Sequence, residues 1–249
     1  MNLQNSRGLW LHGFLGNGDD GKDLFAPWTR DSDCEILCPT LPGHGLPPKP
    51  AASLTATLEH IATLAQNSDW AAGYSMGARL LMMAAARHPE AFSTLILESA
   101  SLGYSDPAVR EARRTLDQER AERLLREGLP AFTSWWYSIP LWKGSSPPPA
   151  RQGDPAALAN ALTSFSSGRQ PDMRMWLRTT SCRILWLAGE HDSAYVEQAD
   201  EVKRLAQNVL VNIIPGAGHN IHHDQPEPWR NAVHTFLNTS ISNPISQEQ

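Results

Sequence analysis

Short apolar runs alternate with stretches of helical spacing along this chain. Residues 9–13 (LWLHG) predict a buried strand ending in a turn, and residues 34–39 (CEILCP) a second strand running into the Pro/Gly loop LPGHGLPP. Residues 54–65 (LTATLEHIATLA) have helical spacing, with Ser53 placed to cap them. DWAAGYS (69–75) is short and apolar, and the MGARLLMMAAARH that follows is a helical pattern. STLILES (93–99), SCRILWLAGE (181–190) and NVLVNIIPG (208–216) predict three more strands, and PWRNAVHTFL (228–237) a closing helix. Strands alternating with helices predict an α/β fold: a mostly parallel sheet covered by helices on both faces.

Between residues 103 and 175 the alternation stops. A charged helical stretch, REARRTLDQERAERLLRE, gives way to the aromatic WWYSIPLW and then to KGSSPPPARQGD, which is loop chemistry. DPAALANALTSF is a further helix with Asp154 as its cap. With no strand pattern in this segment, the expected organisation is a core over 1–102, a helical insertion over 103–175, the rest of the core over 176–238, and a polar, frayed tail over 239–249.

The 249 residues, 41% hydrophobic and 19% charged, are enough for one large core with an insertion. A net charge of -5 without a basic stripe argues against nucleic acid as a partner. No apolar run reaches membrane-spanning length, and MNLQNSRGLW has no signal-like apolar stretch and leaves no room for a cleaved segment, so the expectation is a cytoplasmic protein with no membrane span. The three cysteines, Cys34, Cys38 and Cys182, are odd in number and complete no zinc pattern; free thiols are expected.

The chemistry concentrates in three loops. Gly73-Tyr74-Ser75-Met76-Gly77 fits G-x-S-x-G between an apolar strand and a helix, the context in which the serine is forced into an exposed turn with the helix amides aimed at it. A serine hydroxyl needs a base, and His219, in the Gly-rich turn PGAGHN after the last strand, is the candidate. Asp192 in AGEHDS would fix the imidazole, with Glu190 as its rival. The order Ser, Asp, His is that of the α/β-hydrolase fold. His12-Gly13-Phe14, after the first strand, predicts an oxyanion hole made by the backbone amides of Phe14 and Met76. His222 and His223 suggest a metal, but their spacing fits no zinc motif, and neither metal nor organic cofactor is expected.

LHGFLG, LPGHG, GYSMGAR, GEHDS and GAGHNIHHDQP, with LILESASLGYSDPAVREARRTLDQERAERL and FTSWWYSIPLW between them, resemble the 2-succinyl-6-hydroxy-2,4-cyclohexadiene-1-carboxylate synthases of menaquinone biosynthesis from Leu11 to Phe236. The resemblance implies the α/β-hydrolase fold with a helical cap inserted over the site. It also implies elimination of pyruvate from an enolpyruvyl cyclohexene that carries three carboxylates, with the triad as a base and no acyl-enzyme. It further implies substrate contacts from Arg79, Arg113, Arg151, Tyr74 and Trp136. An acidic chain that binds a polyanion needs such local arginines, whose fork matches a carboxylate. The expected partner is a small polycarboxylate, and the expected state a monomer or weak homodimer. The sequence departs from the family in lacking room for the opening hairpin, in the alanine of GYSMGAR, and in SASLG where many members have a Gly-rich, Pro-containing stretch. A carboxylesterase or carbon–carbon bond hydrolase with the same triad is the alternative, and a non-catalytic binding module on the same scaffold a second.

Overall fold

The computed structural model describes residues 5–30, 33–48, 53–146, 148–149, 151–206 and 208–239. The expected tail beyond Thr239 lies outside the described residues. The chain runs from β1 (Arg7–Leu11) through α1 (Gly18–Thr29) to β2 (Glu35–Leu37), then α2 (Leu54–Ala65), β3 (Trp70–Tyr74), α3 (Met76–Arg87) and β4 (Thr94–Glu98). Three helices, α4 (Pro107–Trp136), α5 (Pro155–Ser164) and α6 (Arg174–Thr179), precede β5 (Arg183–Gly189). The chain closes with α7 (Ser193–Leu205), β6 (Val209–Ile214), α8 (Ile221–Asp224) and α9 (Pro226–Asn238).

The strands form one parallel sheet of order β2-β1-β3-β4-β5-β6. Each of the expected strands is present. The central strands are buried on both sides, so they are largely apolar and sort their side chains by alternation. Leu95, Leu97, Ile184 and Trp186 pack with Leu58, Ile61, Leu80 and Leu81 of α2 and α3. Ile96, Leu185 and Leu187 face the other way, onto Trp10, Phe25, Trp229 and Phe236. Each such side chain taken from water contributes roughly 1.5–3 kcal/mol.

The segment between β4 and β5 has a core of its own: Phe132, Trp136, Trp142, Leu158 and Leu162, closed by Leu15 from the loop after β1. Phe14 touches both this cluster and the main core, which joins the segment to the sheet. The expected boundary at 175 falls inside α6, because the sheet does not resume until Arg183.

Two of the longer helices lie outside the expected set, and the faces they bury include small residues that give little hydrophobic signal: Gly18 and Gly21 in α1, Ala199 in α7. α1 (GDDGKDLFAPWT) is held at its start by a capping box in which Asn17 and Asp20 exchange side-chain and backbone hydrogen bonds. α7 follows Asp192 directly and buries only Ala199 and Val202. α4 continues past the charged stretch into LPAFTSWW after a break at Gly128 (φ 76, ψ 166). Pro130 sits in the first turn after the break, where a missing N–H costs nothing.

Candidate active site

Tyr74 of β3 pairs in register with Glu98 of β4, and at the next residue the chain turns sharply. Ser75 adopts φ 49, ψ -105, and its N–H donates to the Glu98 carbonyl at 2.9 Å. Such a turn requires α3 to begin against the sheet. A β-carbon on Gly77 would lie 2.3 Å from the Leu11 carbonyl oxygen, and one on Gly73 2.7 Å from the Ala78 nitrogen. Both glycines of the motif are therefore demanded by close backbone approach.

His219 Nδ1 lies 2.6 Å from Asp192 Oδ2, and Nε2 lies 3.0 Å from Ser75 Oγ. A neutral ring facing a carboxylate carries its proton on Nδ1, which leaves Nε2 to accept from the serine hydroxyl. The His219 and Asp192 side chains are only 1% and 5% exposed, so the pair is shielded from competing water. Glu190 does not reach the ring; its carboxylate accepts the Gly216 N–H at 2.8 Å and stiffens the turn that leads to His219. The imidazole is enclosed edge-on by Tyr195 (4.7 Å) and Trp142 (5.4 Å), two residues that the sequence patterns leave unmarked.

The turn after β1 faces this group. His12 Nε2 accepts the Leu41 N–H at 2.9 Å, so Nδ1 bears the proton and donates to the Gly13 carbonyl at 2.7 Å. Gly16 N–H donates to the same carbonyl at 3.0 Å. A trans peptide sets C=O and N–H on opposite sides, so fixing the Gly13 carbonyl fixes the Phe14 N–H. The Met76 N–H is the first of α3 and has no intrahelical acceptor.

Ser75, Phe14 and Met76 open onto a cavity of about 490 Å³, whose wall includes Arg79, Arg113, Arg120, Trp136, Ser167 and Tyr195. Arg79 donates from Nη2 to the Phe165 carbonyl at 2.9 Å. Burial, reinforced by Arg113, pushes it down to about 10, so it remains charged at neutral pH. Burial disfavours the charge of Arg113 as well, but Asp117 outweighs it and raises the group. Asp117, 2% exposed, accepts Arg113 Nε at 2.9 Å, Arg120 Nη1 at 3.0 Å and the Ser166 hydroxyl at 2.7 Å. Arg174, also in the wall, is neutralised by Glu201 and Asp172. Three arginines therefore face one carboxylate here.

Four buried atoms of these wall residues have no protein partner: Arg79 Nη1, Arg120 Nε, Trp136 Nε1 and Ser167 Oγ. All can donate, and buried donors are satisfied by acceptors in nearly all folded proteins.

Two of the expected contact residues are not brought to this wall. Tyr74 lies behind the triad, its ring edge-on to His222 at 4.9 Å and against His219 at 5.6 Å. Burial, then the charge of Glu98, pushes its hydroxyl pKa up. Arg151 donates to Asp20 at 2.7 Å in a separate cavity lined also by His222 and Arg230. Of the two further histidines, His222 is held by Glu98, its Nδ1 lying 2.8 Å from Oε1. Among the described residues no group of three His, Cys, Asp or Glu side chains gathers as a metal requires. Among the described residues Cys34, Cys38 and Cys182 form no disulfide, and burial pushes the Cys38 thiol up to about 12.

Comparison with known proteins places this geometry. A model of the alpha/beta hydrolase family matches residues 9–232. The 2-succinyl-6-hydroxy-2,4-cyclohexadiene-1-carboxylate synthase of Enterobacter sp. (strain 638) is 32% identical over 88% of this chain and 86% of its own. The structure of MenH from S. aureus superposes with a TM-score of 0.86 at 26% identity, covering 94% of both chains. A thermophilic esterase from Thermogutta terrifontis shares the fold (TM-score 0.76, 22% identity, 95% of this chain and 90% of that one). Family model and relatives span nearly the same residues that carry the Ser75–His219–Asp192 contacts, and this enzyme chain belongs to the alpha/beta hydrolase family and, within it, to the family of the 2-succinyl-6-hydroxy-2,4-cyclohexadiene-1-carboxylate synthases.

Proposed function

We propose that this enzyme is a carbon–oxygen lyase that forms 2-succinyl-6-hydroxy-2,4-cyclohexadiene-1-carboxylate by eliminating pyruvate from 2-succinyl-5-enolpyruvyl-6-hydroxy-3-cyclohexene-1-carboxylate. His219 takes the Ser75 proton, and the serine oxygen removes the proton α to the succinyl carbonyl. Asp192 stabilises the imidazolium. Negative charge develops on the carbonyl oxygen, where the Phe14 and Met76 amides receive it. As the C2=C3 double bond forms, the ring C3=C4 bond shifts to C4=C5, the C5 bond to the enolpyruvyl oxygen breaks, and pyruvate leaves as its enolate, which takes up a proton. The helices between β4 and β5 serve as a cap that carries Arg113, Asp117, Arg120 and Trp136 over the serine.

The observation that supports this most is Arg79: a half-buried arginine, one turn beyond the serine, whose buried Nη1 has no partner in the protein. An uncompensated buried charge is costly, and a carboxylate of the ligand removes the cost. An esterase pocket for neutral substrates has no use for it.

The test is pyruvate release from the enolpyruvyl substrate, run beside a panel of p-nitrophenyl esters, with intact-mass analysis during turnover. Rapid release with no covalent adduct is expected. Ester hydrolysis without pyruvate release, or a stoichiometric acyl adduct on Ser75, would replace this reading with hydrolysis.

A further inference from the structure

Outside glycine, φ is positive at three described residues: Leu15, Ser75 and Ser99. The last two form a pair. Because Tyr74 and Glu98 are register partners, Ser75 and Ser99 end adjacent strands side by side, at φ 49 and φ 48. A left-handed backbone at a residue with a β-carbon costs energy, and persists only where the surroundings fix it. The strained turn at Ser75 has the purpose described above. The one at Ser99 has none in the mechanism so far.

Ser99 is 1% exposed, and its hydroxyl donates to the His219 carbonyl at 2.8 Å. Its N–H is held by the Leu187 carbonyl of β5 at 2.9 Å. The two serines thus meet His219 from opposite ends, one at the ring nitrogen and one at the main chain. The preceding residue, Glu98, completes the arrangement. It is also 1% exposed, and its carboxylate accepts both the ring Nδ1–H of His222 (2.8 and 2.9 Å) and the His222 N–H (3.1 Å). The Glu98 carbonyl meanwhile accepts the Ser75 N–H.

We infer that Glu98 and Ser99 are positioning residues for the base. They grip the loop from His219 to His222 at both ends and fix it to the same strand end that holds the Ser75 amide. The separation of Nε2 from Oγ is then set by a single rigid piece of β4. A carboxylate buried this deeply is a stringent anchor, since its bonds to His222 are directional and cannot be exchanged for water. This inference rests on the triad reading of Ser75 and His219.

The experiment begins with Ser99→Gly, because glycine accepts the positive φ and only the hydroxyl is lost. Kcat for pyruvate release is expected to fall about ten- to a hundredfold, the scale of a small misplacement of a reacting group. KM is expected to stay within about twofold and thermal stability to stay at or above that of the wild type. The far-downfield proton resonance of the His219–Asp192 hydrogen bond is expected to broaden or move. Wild-type kcat with the resonance unmoved would overturn the inference. A second pair keeps the question open to test if that variant does not fold. His222→Ala is expected to lose about tenfold in kcat, and His222→Asn, whose amide can donate in place of Nδ1, to recover most of it; equal values for the two would refute the Glu98 anchor. Modification of Ser75 by a fluorophosphonate is followed alongside. If the wild type releases no pyruvate but is modified, the substrate reading fails. The positioning role is then judged by whether Ser99→Gly slows modification, and equal rates would refute it.

Discussion

Arg79 shows how much one residue can carry. The half-buried side chain bonds at one end to the Phe165 carbonyl, and its buried Nη1 has no partner at the other. A bidentate charged contact contributes about 1.5–3 kcal/mol, or roughly tenfold to over a hundredfold in affinity. Arg79→Ala and Arg113→Ala are therefore each expected to lower kcat/KM for the tricarboxylate by at least about tenfold, while hydrolysis of a small neutral ester changes little. Arg79→Lys restores only part of the loss, because a point charge lacks the fork. Equal losses on both substrates would assign these arginines to the fold instead. Arg79 came from the resemblance, and the helix that begins just after Ser75 does bring it back to the serine's face. Tyr74 was placed at the site by likeness alone, yet successive side chains of a strand point to opposite faces, and its ring went behind the triad onto His222. Arg151 follows Asp20, far away in the sequence, so no local pattern marked the ion pair. Ser99 and Glu98 act only through contacts distant in sequence, and such contacts leave no local signature; Asp117 pairs locally with Arg113 and Arg120, but its bond to Ser166 joins it to a distant segment.

At the scale of elements, strands and the motif loops were readable because the central strands are buried on both faces and are nearly pure apolar runs. The helices split by mechanism. α2 and α9 were readable from their apolar spacing; α1 and α7 turn glycine or alanine as well as larger residues to the core and were not. In the cap, α4 was expected to stop with its charged stretch, and the break is indeed at Gly128, but the helix resumes at once. The Gly128 conformation, φ 76 and ψ 166, belongs to a region that residues with a β-carbon scarcely enter. Nothing lies within 4 Å of a β-carbon placed there, so any penalty is one of backbone strain and not of crowding. Gly128→Ala is expected to destabilise by about 1–3 kcal/mol. The loss should appear in hydrogen exchange of α4 and α5 before it appears in the sheet. An unchanged unfolding free energy would mean that the break relaxes without cost.

At the scale of the molecule, stability should depend on pH through a residue outside the triad. His44 is 1% exposed beside the His12 ring, and burial, with His12, pushes it from the usual 6.5 down to about 3. The folded protein keeps this ring neutral while the unfolded chain binds a proton below about 6.5. The contribution is thus complete above that pH and is lost progressively as pH falls toward 3, at about 1.4 kcal/mol per unit. Urea unfolding at stepped pH is expected to show a gentler acid slope for His44→Gln than for the wild type; identical slopes would mean that His44 protonates within the fold.

The cap enters between Glu98 and Arg183, residues that end and begin neighbouring strands of the sheet. Closing a longer loop there costs little, since each doubling of its length adds only about 0.6 kcal/mol. The sheet can therefore accept a different insertion at almost no thermodynamic penalty, provided Phe14 and Leu15 find new apolar cover. Much of what the enzyme recognises, the cap's Arg113, Arg120 and Trp136, is accordingly inherited on a different stretch of chain from the chemistry, while Arg79 stays beside the serine. A lineage can exchange the first without rebuilding the second, and hydrolases and lyases then become neighbours, one insertion apart.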